Sequence, residues 1–213
     1  MMNQVTKEQK KAMNMIAKSY EQILKALNVA YNLNIEDDNF KETPERVARM
    51  LVLERCRGIN SEDQCINLLK KTFKCMNNND VTDQLIITTN PAIVYGICPH
   101  HFENVRYYVW SGYMPNEGFC GLSKFSRVVD LYASQPILQE SFTSGLADIM
   151  MKGLNPRGVI VVVKGAHDCM IARGAKSNPK QLIVTSALRG VFLENKTFKE
   201  EFFKLTNGLN VYD

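Results

Sequence analysis

Histidine and tryptophan are the scarcest residues in this 213-residue chain, which contains three and one of them respectively. The chain also lacks a run of about 18 apolar residues, the length that a membrane-spanning helix needs. The chain has 26 basic and 22 acidic residues, and no block of five or six basic residues occurs. A membrane protein and a nucleic-acid-binding module are therefore both disfavoured.

The start of the chain is polar and charged, which is not typical of a secretory signal peptide. The six cysteines are irregularly spaced and do not indicate a disulfide scaffold. Hydrophobic residues make up 45% and charged residues 23%, as in ordinary globular proteins. We therefore expect a cytoplasmic protein whose thiols are free, metal-bound or catalytic.

The hydrophobic pattern changes from helical to extended near residue 80. Three helices are predicted before that point. After it, the pattern predicts strand, strand, helix, helix, strand, strand and a short final helix. This order indicates an α+β fold, an antiparallel four-stranded sheet packed on two helices. We expect an N-terminal helical region over residues 1–80 and the main domain over 81–213.

Local signals place several element boundaries. Thr43 and Ser123 each precede a helical pattern and are predicted N-caps. The polar residues 77–80 predict an exposed loop. The apolar run that starts at residue 159 predicts a strand that continues to residue 169.

Every histidine lies within three residues of a cysteine, in the segments 98–101 and 167–169. Cys98 and His101 are three residues apart in a predicted loop, and Cys169 follows much later in the chain. Two thiolates and an imidazole favour zinc over magnesium or calcium. Catalytic zinc commonly has three such ligands and an open fourth position. The spacing therefore predicts a catalytic zinc site.

The other two histidines suit proton transfer, since imidazole titrates near neutral pH. Residues i and i+2 of a strand share a face, so we expect His167 beside Cys169 but not on the metal. His100 adjoins the ligand His101 and can point elsewhere. Two alternatives stay open. One is a closed structural zinc with His100 or His167 as fourth ligand, and the other is a pair of merely buried thiols.

Seven short motifs occur in order across about residues 42–203: ETPERVARM, CPHHF, GYMPN, GLSKFSR, LQE, HDCMIARG and VTSALRGVF. As a set, they resemble the signatures of the GTP cyclohydrolase I family, in that family's order. The segment CPHHF resembles the family's CEHH element. Any one fragment is weak, but the combined pattern is highly specific.

The resemblance implies an enzyme that hydrolyses the five-membered ring of the guanine in GTP and releases formate. It implies that the ribose is then rearranged and that a new ring closes to give 7,8-dihydroneopterin triphosphate, the start of pterin, folate or deazaguanine biosynthesis. It also implies Zn²⁺ on Cys98, His101 and Cys169, and catalysis by His100 and His167.

The same resemblance implies how GTP is held. Glu140 resembles the residue that recognises guanine in this family. A carboxylate can accept hydrogen bonds from the two adjacent donors of guanine, and adenine lacks that pair of donors. Gln139 and Ser123 resemble further substrate contacts. Without the resemblance, Glu140 and the cations named next would each be better interpreted as solvated surface charges. The cations that resemble the triphosphate pocket are Arg46, Arg49, Lys124, Arg127 and Arg173.

The family's fold is the tunnelling fold, in which the sheets of several subunits join into a barrel. The resemblance implies a homo-oligomer, a decamer of two stacked pentamers whose active sites are shared between subunits. Closing a barrel also removes the exposed edges that a lone four-stranded sheet would have.

Five residues depart from the family's pattern: Pro99, Tyr107, Ser134, Ile137 and Ala175. Pro99 stands where the family usually has glutamate, and Tyr107 stands where a hairpin glycine is common. Pro99 brings no side-chain carboxylate and no backbone N–H beside Cys98. We still expect an active enzyme, because the cysteine and histidine set is intact.

Three other kinds of protein with the same fold are alternatives. One is a zinc-stabilised binding or assembly protein without cyclohydrolase activity. Another is the nitrile reductase of the queuosine pathway, which uses a catalytic cysteine and a nicotinamide cofactor. The third is pyruvoyl-tetrahydropterin synthase, which holds zinc with three histidines, more than this chain has free for that purpose.

Overall fold

The computed structural model describes residues 5–73, 84–88, 90–116 and 118–209. The chain divides into two compact units, one ending at Arg57 and the other beginning at Gly58. The predicted domain boundary between residues 80 and 81 lies outside the described residues, as does the predicted loop at 77–80.

Helix α1, Lys7–Tyr31, is the longest helix of the first unit. It begins at a capping box: the Gln9 N–H donates to Thr6 Oγ1 at 3.1 Å, and the Thr6 N–H donates to Gln9 Oε1 at 2.9 Å. It ends at Asn32, which adopts the left-handed conformation typical of a helix C-terminus. In the described part of the chain, no helix is both long enough and apolar enough to cross a membrane.

Helix α2, Thr43–Met50, follows in the same unit and has Pro44 in its first turn. It continues into a π-helical turn over Leu51–Arg55. The prediction of Thr43 as N-cap is wrong. Thr43 is the first helical residue, and its hydroxyl donates to the Asn39 carbonyl at 3.2 Å instead of receiving a helix N–H.

The second unit combines an antiparallel sheet with helices. Its main elements, in chain order, are α3 (Glu62–Leu69), β1 (Thr72–Phe73), β2 (Ile86–Ile87), β3 (Ala92–Ile97), β4 (Asn104–Met114), β5 (Phe119–Cys120), α4 (Ser123–Ala133), α5 (Gln139–Leu154), β6 (Gly158–His167), α6 (Asp168–Ile171), β7 (Ile183–Gly190), α7 (Val191–Glu194) and α8 (Lys196–Leu205). The predicted α+β class is confirmed. Helix α3, grouped from sequence with the N-terminal helices, belongs to this unit.

The long strand β4 organises the sheet. It pairs with β6 on one side, and β6 pairs with β7. On its other side β4 pairs with β3 along one half and with β2 along the other. The sheet therefore has five strands but is only four positions wide. Strands β1 and β5 form a separate short pair.

Both faces of the sheet are buried, and this explains the unbroken apolar run of residues 159–163. Alternate residues point to opposite faces. On β4, Val109 packs with Phe142 in the cluster formed with α4 and α5. The next residue, Trp110, packs with Phe202 of α8 on the other face. The predicted packing of the sheet on a helix pair is thus confirmed.

Two further predicted boundaries differ from the structure. Strand β6 ends at His167, and its last pairing with β4 is the one opposite Val105. Cys169 therefore lies in α6, and the expectation that it shares a strand face with His167 is wrong. Ser123 is the first helical residue of α4 and makes no capping hydrogen bond with its side chain.

Helices α3 and α5 approach closely at Gly153. A Cβ built on this residue would lie 2.7 Å from Leu69 Cβ and 3.1 Å from the Ile66 carbonyl oxygen. Leu69 is fully buried and cannot swing into solvent without leaving the core. Glycine at this position therefore allows the close approach.

We expect Gly153→Ala to destabilise the protein by about 1–2 kcal/mol. Alanine favours a helix over glycine by up to about 1 kcal/mol, but overpacking a core costs about 1–3 kcal/mol. Thermal unfolding measures the difference. Gly121→Ala is the control, since its Cβ meets nothing closer than 3.4 Å. Equal melting temperatures for the two variants would contradict this packing.

Candidate metal centre

Three side chains converge at one end of the sheet. The ligand atoms of Cys98, His101 and Cys169 all lie within 4.8 Å of one another. The two sulfur atoms are 3.6 Å apart. Cys98 is buried, Cys169 is half-buried and His101 is exposed. Within the residues that the structure describes, this is the group whose geometry suits a metal ion.

Sheet topology brings the two ligand segments together. Strands β3 and β6 both run antiparallel to β4, so both end where β4 begins. The final rungs are Ile97 opposite Asn104 and His167 opposite Val105. Cys98 directly follows the first of these strands, and the short helix α6 follows the second.

A tight turn places His101 beside Cys98. The Phe102 N–H donates to the Cys98 carbonyl at 2.9 Å, and the Cys98 N–H donates to the Glu103 carbonyl at 2.8 Å. Phe102 closes the turn with φ of 58°, which is unfavourable for a bulky residue. Pro99 follows Cys98, and its fixed φ suits the second position of a turn.

The donor set fits a metal ion on chemical grounds. Burial raises the pKa of the Cys169 thiol, and the hydrogen bond and charge of Cys98 raise it further, while Arg173 opposes them. Two neighbouring thiolates repel each other. Both cysteines therefore lose their protons readily only when a cation lies between the two sulfur atoms. A divalent ion on the two sulfurs and the imidazole nitrogen would remove this conflict.

Gln139 holds the imidazole ring of His167. His167 Nε2 and Gln139 Oε1 are 2.8 Å apart. The Gln139 Nε2 amide donates to the Ile183 carbonyl at 2.9 Å and to Thr185 Oγ1 at 3.1 Å. Because a carbonyl oxygen only accepts, this orients the amide and directs Oε1 at the histidine. His167 Nε2 therefore carries a hydrogen, and the lone pair of the neutral ring is on Nδ1.

Electrostatics keep His167 neutral near pH 7. Burial lowers the pKa of its imidazole below the ordinary value of 6.5, and the charges of Glu140 and Asp168 only partly oppose this. A neutral imidazole with a free Nδ1 lone pair can accept a proton.

Three residues that support Gln139 were not predicted from the sequence: Gly165, Thr143 and Thr185. A Cβ on Gly165 would lie 2.2 Å from Gln139 Oε1, so only glycine leaves room for the amide. The Thr143 hydroxyl donates to the Gln139 carbonyl at 2.7 Å and is 2.6 Å from Thr185 Oγ1. A glycine inside an apolar strand, two residues before a histidine, was the available signal.

A cavity of about 750 Å³ opens beside the cluster, a size typical of small-molecule sites. The predicted site residues that line it are Cys98, His100, His101, Gln139, Glu140, His167, Cys169 and Arg173. Glu140 lies in the first turn of α5, where the helix dipole favours its negative charge.

The other predicted site residues lie elsewhere. Ser123, Lys124 and Arg127 are on α4 and do not line this cavity. The Lys124 ammonium donates to the Lys71 carbonyl at 2.7 Å. Arg46 and Arg49 lie on α2 in the first unit.

Comparison with known proteins identifies similar sequences. A family model described as GTP cyclohydrolase I matches residues 16–207. A protein of Aquifex aeolicus named GTP cyclohydrolase 1 is 39% identical over 81% of this chain and 86% of its own length. One from Clostridium perfringens with the same name is 36% identical over 85% and 93%.

Among solved structures, the archaeosine synthase QueF-Like in its apo form aligns with 50% of this chain and 93% of its own. Its TM-score is 0.41 and its identity 21%. That similarity is too low to bear on fold or function.

We expect ring-nitrogen NMR of the metal-free protein to show neutral His167 with its hydrogen on Nε2. Gln139→Leu removes the acceptor, so the variant should show a mixture with the Nδ1–H form. Gln135→Leu, which removes an amide bonded to the Tyr132 carbonyl, should leave the signals unchanged. A parent protein protonated on Nδ1 would disprove the assigned tautomer.

Proposed function

Since this chain belongs to the GTP cyclohydrolase I family and is an enzyme of that class, we propose that it converts GTP to 7,8-dihydroneopterin triphosphate and formate. One observation carries the proposal: the Cys98, His101 and Cys169 cluster lies in the wall of a cavity that Glu140 and His167 also line. The product would enter pterin, folate or deazaguanine synthesis.

Zinc is the metal that we assign to the cluster. Sulfur and imidazole ligands suit zinc and disfavour magnesium and calcium. His100 and His167 are outside the ligand group among the described residues, which favours an open fourth position over a closed structural site. When bound, zinc supplies a Lewis acid that makes water nucleophilic near neutral pH.

Glu140 is the proposed guanine reader. It lines the cavity in the first turn of α5, at the positive end of the helix dipole. A carboxylate accepts from the N–H and the adjacent amino group of guanine. Adenine lacks that pair of donors, and a site left with an unpaired carboxylate typically discriminates by about 10⁴–10⁵.

His167 and His100 are the proposed proton-transfer groups. His167 is held by Gln139 so that Nδ1 is free to accept a proton from the attacking water and to return it to a nitrogen of the opening ring. His100 lines the same cavity, with its Nδ1 3.8 Å from Cys98 Sγ. In this proposal Gln139, predicted as a substrate contact, acts through His167.

The triphosphate requires more cations than the cavity itself provides. Arg173 lines the cavity, and one of its guanidinium nitrogens donates to the Cys169 carbonyl at 3.3 Å. Its remaining donors suit a phosphate. We propose that Ser123, Lys124 and Arg127 of a neighbouring subunit complete the pocket, together with Arg46 and Arg49.

A decamer of two stacked pentamers, whose sheets join into barrels, would bring these residues to the cavity. The edges of the sheet support the proposal because they expose apolar side chains. Val184 on β7 is 56% exposed, and Ile93 and Tyr95 on β3 are 57% and 50% exposed. Unpaired strand edges with apolar residues favour pairing with another chain.

We expect the zinc-loaded protein to release formate from GTP and to give a fluorescent neopterin after oxidation. His167→Ala should retain zinc and lose about 10²–10⁴ in rate, because it removes a proton-transfer group. Absence of product from the zinc-loaded parent would favour a binding or assembly protein of the same fold. Loss of zinc from the variant would show that His167 is a ligand and that the site is closed.

Mixed oligomers test whether sites are shared. Lys124→Ala and His167→Ala should each be nearly inactive alone. Refolded together, they should regain activity, since some sites then combine an intact cavity with an intact α4 from the neighbour. His167→Ala mixed with Glu140→Ala is the control and should stay inactive, because both residues line one cavity. Equal recovery in both mixtures, or in neither, would contradict shared sites.

A further inference from the structure

Tyr107 carries a buried hydroxyl that has no hydrogen-bond partner, the one such side-chain atom among the described residues. The side chain is fully buried in the middle of β4. Buried polar groups in native proteins almost always have a partner, and an unpaired one incurs the full cost of its desolvation.

The Tyr107 ring lies between the two histidine-bearing segments of the metal centre. It stacks on Phe142 with ring centres 4.9 Å apart, and it meets His167 edge-on at 6.3 Å. It also covers Gly96, where a Cβ would lie only 2.6 Å from the tyrosine Cε2. Gly96 is two residues before Cys98, so the ring lies directly behind the strand end that presents this ligand.

Groups that can carry negative charge surround the Tyr107 hydroxyl. Burial raises the pKa of the hydroxyl, and the charges of Cys98, Glu140 and Cys169 raise it further, in that order. A tyrosine hydroxyl can donate a hydrogen bond. Because the ring covers Gly96, the first proposed metal ligand that follows in the chain is Cys98.

Two backbone groups next to the Cys98 sulfur cannot donate to it. The Cys98 N–H is bonded to the Glu103 carbonyl, and Pro99 has no N–H. Within the turn, His100 Nδ1 lies 3.8 Å from the sulfur. A further donor would stabilise a buried thiolate here, because charge away from water is costly unless it is hydrogen-bonded.

We infer that Tyr107 is a positioning residue of the metal centre, whose hydroxyl donates to the Cys98 thiolate when zinc is bound. The ring edge at the same time restricts the orientation of His167. The inference rests on the zinc site of the proposed function. A hydrogen bond to a ligand draws electron density from the sulfur and tunes the metal, as partners behind the ligands commonly do.

Tyr107→Phe is the direct test, because it keeps the ring and its stacking and removes only the hydroxyl. We expect zinc affinity, measured by competition with a chromophoric chelator, to fall about tenfold. The thiolate-to-metal charge-transfer band of the cobalt-substituted protein should shift. The melting temperature of the metal-free protein should not fall, because in that state the hydroxyl has no partner to lose.

Tyr132→Phe is the matched control. Tyr132 is also buried and also stacks on Phe142, at 5.8 Å. Burial is the main cause that raises the pKa of Tyr132 to about 12, and the charges of Glu62, Cys65 and Asp148 add to it. None of these three residues is a proposed zinc ligand. This variant should bind zinc like the parent.

Unchanged zinc affinity and an unchanged cobalt spectrum in Tyr107→Phe would overturn the inference, as would equal losses of affinity in both variants. Tyr107 would then be a packing residue only. Failure of the proposed function is distinguishable, since it would appear in the parent protein as absent zinc binding or absent formate release.

Discussion

The contact between two sulfur atoms 3.6 Å apart is the constraint on which the site depends. Two thiolates so close are stable together only around a cation. The sheet imposes this proximity. Strands β3 and β6 flank β4 and end beside its first residues, so Cys98 and Cys169 both lie just beyond the same end of the sheet. The turn after Cys98 adds the imidazole of His101. Ligands from distant parts of the chain thus meet because strand pairing brings them together.

Beside the cluster, a buried polar network controls the chemistry. It runs from the Ile183 carbonyl and Thr185 through the Gln139 amide to His167. Each member has a partner, which makes such networks rigid and specific. Its effect is to decide which nitrogen of His167 carries the hydrogen, and burial lowers the pKa of the ring. The backbone of β7 therefore determines the protonation of a side chain on β6.

Several features could be predicted from the sequence because they follow from local pattern or from donor chemistry. The order of helices and strands follows from hydrophobic periodicity. The ligand group follows from the proximity of every histidine to a cysteine. The prediction failed where the end of a strand depends on pairing with residues far away in the chain. The strand expected to reach Cys169 stops at His167, where its pairing with β4 ends opposite Val105. Spacing alone does not contain that information.

By itself, the sequence determined the α+β class, the three residues that form the cluster and the likeness to a family of cyclohydrolases, because residue type and periodicity are local properties. Tertiary structure alone decided how these parts act. It oriented the amide of Gln139 towards His167, left Lys124 outside the cavity, and buried the Tyr107 hydroxyl without a hydrogen-bond partner. Each of these depends on contacts between residues far apart in the chain, and such contacts exist only once the sheet has formed.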